Sequence, residues 1–142
     1  MRILTNSGAD RVSDLLERDS ATASAVHLAS GNISLHGAEA LLRALPAHSA
    51  LSLLTANQPD TLTDLNGNTS DRRRRAELRH RSNARALAER LNNNGEIRSA
   101  RLPISQSLML LSTASGPYIA ISGACDITTE GLGLSPAASL GD

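Results

Sequence analysis

At 142 residues the chain has the length of one domain, and folding at this size buries about 70% of the surface that the unfolded chain exposes. Its 14 basic residues, all Arg, balance 14 acidic ones, so no global field commits it to nucleic acid or membrane, and the single Cys125 excludes an internal disulfide. No apolar run approaches the ~20 residues of a membrane span and no secretion signal opens the chain, so the expectation is a cytoplasmic protein with no membrane span.

Residues 2–5 (RILT) read as a short strand, and Asn6-Ser7-Gly8 then breaks the chain and can cap a helix over 9–18. Residues 24–29 (SAVHLA) read as a strand ending at Ser30-Gly31. Ala38, Leu41, Leu42 and Leu45 recur at helical spacing and predict a helix over 36–45, stopped by Pro46. Residues 50–56 (ALSLLTA) form another apolar strand, and the polar stretch 57–70 a long loop. Ser70 or Asp71 then caps the longest helix, over 71–92, with Ala84, Leu87, Ala88 and Leu91 facing inward and Glu77 paired with Arg81 one turn on. Asn92-Asn93-Asn94-Gly95 stops that helix, because Asn and Gly tolerate the left-handed conformation. Strands follow over 97–102, 107–113 and 117–123, and a Gly- and Ser-rich tail covers 131–142.

Short apolar strands alternating with helices predict an α/β domain: a mixed, largely parallel sheet flanked by helices on both faces, occupying 1–142 as one domain. With no Phe, no Trp and Tyr118 as the one aromatic residue, the core must be built from Leu, Ile, Val and Ala.

The neutral total hides a division. Residues 71–90 hold eight Arg against three acids, a net +5, and the remainder is acidic by the same amount. Arg72, Arg73, Arg74 and Arg75 wrap around the first turn of the long helix, at the positive end of its dipole, where cations are disfavoured. A chain that accepts that cost is a candidate for binding phosphate or the nucleic-acid backbone there, with strong salt dependence and no aromatic platform for base stacking. The competing reading is a solvated helix face.

The four histidines offer less. His27 reads as a core or sheet-face residue, His36 as a surface or capping residue, His48 as exposed in a loop and His80 as partly exposed on the long helix. No pair has metal-ligand spacing, so neither a metal nor any other cofactor is expected.

The stretch "RLPISQSLMLLSTASGPYIAISGACDITTEGLGL", 101–134, resembles the signature of the phospholipase D superfamily: His-x-Lys-x4-Asp on one strand, then a strand ending in Gly-Ser-x-Asn, a Thr and a Gly-Leu. On this chain the positions are Ser105, Ser107 and Ser112, then Gly123 to Asp126, Thr128 and Gly131-Leu132. "ILTNSGADRVSDLLE", "VHLASGNISLHGAEALLRAL" and "LSLLTANQ" resemble earlier blocks of small members, and the helix over 71–92 fits as well. The resemblance implies phosphodiester chemistry in which His attacks phosphorus and Lys and Asn hold the phosphate oxygens. It also implies a homodimer, because two copies of the signature build one site.

The defining side chains differ. A serine hydroxyl without an adjacent base is not deprotonated near neutral pH. Ser107 brings no positive charge to a phosphate, and an ionised Asp126 repels one. The catalytic positions Ser105, Ser107, Ser112 and Asp126 are therefore expected to be vestigial, with Gly123, Thr128 and Arg72–Arg75 as the phosphate- or nucleic-acid-binding candidates. Two alternatives stand beside this degenerate phosphodiesterase: an active nuclease-like enzyme with an unconventional nucleophile, and a structural or dimerisation module of a larger helicase or restriction enzyme. Replacement of all three motif residues by Ser, and Asn32 and Asn57 where relatives often carry aromatics, further suggest an altered or engineered variant of an active relative.

Overall fold

The computed structural model describes residues 3–6, 10–56 and 77–134, with backbone only for 77–80. Within them the elements run α1 (Val12–Asp19), β1 (Ala25–Ser30), α2 (Leu35–Ala44), β2 (Ala50–Thr55), α3 (Glu77–Asn94), β3 (Gly95–Ser99), β4 (Ser107–Thr113) and β5 (Gly116–Gly123). The five strands form one sheet in the order β3-β2-β1-β4-β5. β3, β2 and β1 are parallel neighbours, while β4 runs antiparallel to both β1 and β5. The fold is thus α/β with a mixed sheet, but its pairings divide evenly between parallel and antiparallel rather than being largely parallel.

Burial alternates along the strands. Val26, Leu28, Leu51, Leu53, Met109 and Leu111 are buried on one face, where α1 adds Val12 and Leu16 and α2 adds Ala38 and Leu41. Leu87 and Leu91 of α3 pack against the same core. The opposite face shows His27, Leu54 and Leu108 exposed, with Ala29, Ser52 and Leu110 half-buried. Among the described residues the helices pack on one face. The period-2 alternation in β1, β2 and β4 is the physical mark of a sheet covered on one side. Burying each of these Leu side chains stabilises the fold by about 2 kcal/mol, and no aromatic side chain is needed to fill the core. Tyr118 stays at the surface, where its hydroxyl donates to the Asp19 carbonyl at 2.8 Å and ties β5 to the end of α1.

Several boundaries depart from the expected ones. Residues 3–5 form no strand; Ile3 is exposed and no ladder partner stands beside it. Asn6 does serve the start of α1, its Oδ1 accepting from the Val12 N–H at 3.0 Å while its amide donates to the Gly131 carbonyl at 2.7 Å. The long helix runs to Asn94 and passes straight into β3 at Gly95, with no left-handed residue between them. Gly95 is needed for a close approach instead, since a Cβ there would lie 2.7 Å from the Leu51 carbonyl oxygen. Ala88, expected inside, is exposed, and Asn83 is buried in its stead. Residues 131–134 are no tail: Leu132 is fully buried and Leu134 packs on the core. The loop over 57–70 and the helix cap at Ser70 or Asp71 lie outside the described residues.

Candidate functional site

β1 lies between its parallel neighbour β2 and its antiparallel neighbour β4. The chain leaves β1 through α2 toward β2 on one side, and β4 enters on the other. At the carboxyl end of β1 three segments meet: the turn Ser30-Gly31-Asn32 between β1 and α2, the first residue of β4, Ser107, and the loop after β5 that carries Asp126.

The three segments converge on the Asp126 carboxylate. Its Oδ1 accepts from the Gly31 N–H at 3.1 Å, the Asn32 N–H at 3.4 Å and the Ser107 hydroxyl, and lies 3.2 Å from the Ser30 hydroxyl, whose one proton is shared with the Asn32 carbonyl. Its Oδ2 accepts from the Asn32 side-chain amide at 3.2 Å. Backbone contacts lock the approach: Ile127 N–H donates to the Ser30 hydroxyl at 3.0 Å, and Ser34 N–H donates to the Ile127 carbonyl at 2.8 Å. Gly31 permits it, because a Cβ there would stand 2.8 Å from the Ile104 carbonyl oxygen.

Burial by itself pushes the Asp126 carboxyl up. The hydrogen bonds from Ser107, from Asn32 through side chain and backbone, and from Ser30 outweigh it and hold the carboxyl below the ordinary carboxylate range. The neighbouring Cys125 is buried with its Sγ 3.7 Å from the Ser107 carbonyl oxygen, and burial pushes its thiol up, so it stays protonated and fills space.

The motif positions do not gather into one site. Ser107 and Asp126 meet directly. Ser105 lies exposed in the bend before β4. Ser112 sits five residues beyond Ser107, about 17 Å along the strand at the usual rise, where its carbonyl accepts from the Ser24 N–H at 2.9 Å and the Ser24 hydroxyl at 3.2 Å. The 0, +2, +7 spacing therefore does not bring Ser112 to the Asp126 carboxylate. Gly123 ends β5 opposite Ser107 with φ +134°, a left-handed-region value that favours glycine. The Thr128 hydroxyl accepts from the Gly131 N–H at 3.0 Å, so this oxygen shapes the loop.

Arg72, Arg73, Arg74 and Arg75 lie outside the described residues. Of the described Arg on α3, Arg85 pairs with Glu89 at 2.8 Å, and Arg90 is structural. The Arg90 guanidinium donates to the Pro46 carbonyl at 2.8 Å and the Ser49 hydroxyl at 3.0 Å, and also to the Ala47 and Ser49 carbonyls. It closes the loop between α2 and β2.

Among the histidines, His27 is exposed on the open sheet face and His48 is exposed in its loop, while the His80 side chain is outside the described residues. His36 corrects its expected place, because it is buried. Its Nδ1 lies 3.9 Å from Glu39, which also accepts from Arg43 and from the buried Asn83 amide, each at 2.8 Å. His36, Glu39 and Arg43 line a cavity of about 430 Å³ between α1, α2 and the loop after β5. The i, i+3 and i, i+4 spacing of His36, Glu39 and Arg43 was the sequence signal for this cluster. Among the described residues no cluster of His, Cys, Asp and Glu is arranged to hold a metal ion, and no helix is long and apolar enough to cross a membrane.

No protein-family model matches the chain, and no curated protein is significantly similar to it.

Proposed function

We propose that the chain is a phospholipase D-like domain that no longer hydrolyses phosphodiesters. The observation that carries this reading is the pairing of Ser107 with Asp126. A serine nucleophile needs a base with an affinity for its proton. The carboxylate at hand is held ionised by hydrogen bonds from Ser107, Asn32 and Ser30 and is therefore a weak base, and the Ser107 hydroxyl is itself buried and committed to it. The same geometry argues against the alternative of an active enzyme with a serine nucleophile at this position. Positive charge to stabilise a phosphorane is absent from the described donors to the Asp126 carboxylate, which are hydroxyls and amides.

Nucleic-acid or phosphate binding in this reading rests on the Arg-rich segment 71–81, and the homodimer on the presence of one signature per chain. The test is hydrolysis of bis(p-nitrophenyl) phosphate and of single-stranded DNA. Wild type should release no product above buffer. Ser105→Ala and Ser107→Ala should leave that absence unchanged. Cleavage by wild type that Ser107→Ala abolishes would overturn the reading.

A further inference from the structure

We propose that the turn Ser30-Gly31-Asn32 and the head of β4 form an oxyanion-binding nest, and that Asp126 fills it as an internal ligand, closing the site to phosphate. The inference concerns the site of the reading above and rests on that reading for its setting. The argument itself uses the donors alone.

Successive backbone N–H groups that point into one concavity bind anions. Gly31 and Asn32 provide such a pair, and both aim at one carboxylate oxygen. Two hydroxyls, Ser30 and Ser107, enter from the neighbouring strands β1 and β4, and the Asn32 side chain covers the second oxygen. Four of these groups donate to the carboxylate outright, the Ser30 hydroxyl shares its proton with the Asn32 carbonyl, and the donors come from two segments 75 residues apart in the chain. An ordinary loop carboxylate is satisfied by one or two local donors. The Asp126 carboxylate instead receives the inventory that a tetrahedral oxyanion takes from a binding site: paired amides, paired hydroxyls and a side-chain amide. The nest stands at the carboxyl end of β1, ahead of α2, whose N-terminus adds a favourable dipole for negative charge.

The site is nevertheless shut in the native chain. A phosphate entering the nest would have to displace an attached carboxylate whose effective concentration no free ligand matches, and would meet its negative charge if it did not. Removing the carboxylate leaves the turn in place, because the Ser30 hydroxyl bonds the Asn32 carbonyl and the Ile127 N–H independently of the Asp126 side chain.

The experiment compares inorganic phosphate binding by wild type, Asp126→Ala and Asp126→Asn, using calorimetry and the shift of the thermal midpoint with phosphate. Both variants should bind at least tenfold more tightly than wild type. Adding Ser107→Ala to either one should remove most of the gain. If Asp126→Ala does not fold, Asp126→Asn, which keeps the side chain's shape and loses its charge, carries the test alone. A short single-stranded oligonucleotide in a parallel arm separates free phosphate from backbone phosphodiester as the oxyanion admitted. Equal phosphate binding by wild type and Asp126→Asn would overturn the proposal, as would a gain that Ser107→Ala leaves intact. Neither outcome touches the reading of a silent phosphodiesterase, whose failure is read by hydrolysis in wild type and not by binding.

Discussion

The two ends of β4 each carry a serine of one motif, and they meet different surroundings. At the head of the strand, Ser107 is buried and donates to a carboxylate that also collects donors from the β1–α2 turn. At the tail, Ser112 offers its backbone carbonyl to Ser24, and its neighbourhood is held by hydroxyl and guanidinium donors on neutral carbonyls: Ser20 on Ala44 at 2.9 Å, Ser49 on Pro46 at 2.9 Å and Arg90 on the same loop. Both ends solve the problem of buried polar groups, but with different acceptors. Neutral carbonyls at the tail close loops. The charged acceptor at the head sits in a nest, and only that arrangement has the form of a ligand site.

The comparison breaks most visibly at Asp126. Asp126→Ala leaves the Ser107 hydroxyl and two backbone N–H groups without their acceptor, while Ser30 keeps the Asn32 carbonyl, and should destabilise the fold by about 3 kcal/mol in urea unfolding. Its pH dependence follows from the lowered folded-state pKa. The carboxylate's contribution is complete above the unfolded value of 3.8 and is lost as pH falls through the folded value. The stability gap between wild type and Asp126→Asn should therefore hold steady at neutral pH and close below about pH 4. A gap that widened on acidification would mean that the carboxyl is protonated in the nest.

At the opposite end of the sheet, Arg90→Ala frees the carbonyls of the α2–β2 loop, which water then reaches in part. The expected loss is about 2 kcal/mol, independent of pH across the range in which Asp126 titrates. A pH-independent loss here beside a pH-dependent one at Asp126 is the signature of neutral against charged acceptors.

Most of the frame was legible in the sequence for a physical reason. The apolar alternation of 24–29, 50–56 and 107–113 and the helical spacing of 36–45 are local patterns, and the observed elements follow them within a residue or two. What could not be read is what depends on distant partners. The contact of Ser30 with Asp126 spans 96 residues, and no local pattern announces it. His36 reads as a surface or capping residue in the sequence because the elements beside it in the fold, α1 and the loop after β5, do not adjoin it in the chain. The open sheet face was hidden for the same reason: Leu54 and Leu108 are apolar enough to suggest a covered strand, and only the placement of the helices shows which side they cover. The motif spacing suggested that Ser105, Ser107 and Ser112 shared one site, yet a strand's rise carries Ser112 away from the other two.

The finest test of the comparison lies between Ser107 and Ser112 themselves. Ser107→Ala removes a charge-assisted hydrogen bond from a buried position, and should cost about 1.5 kcal/mol. Ser112→Ala keeps the backbone carbonyl that Ser24 uses, so its effect should stay below about 0.5 kcal/mol, the range of a substitution that breaks no partnered group. The two substitutions delete the same atom from the same strand, so strand propensity and side-chain entropy largely cancel between them. What survives in the difference is the acceptor, a carboxylate at one end and none at the other. Equal effects of the two substitutions, measured by urea unfolding at neutral pH, would remove the distinction between the ends and with it the reason to regard the head of β4 as part of a binding nest.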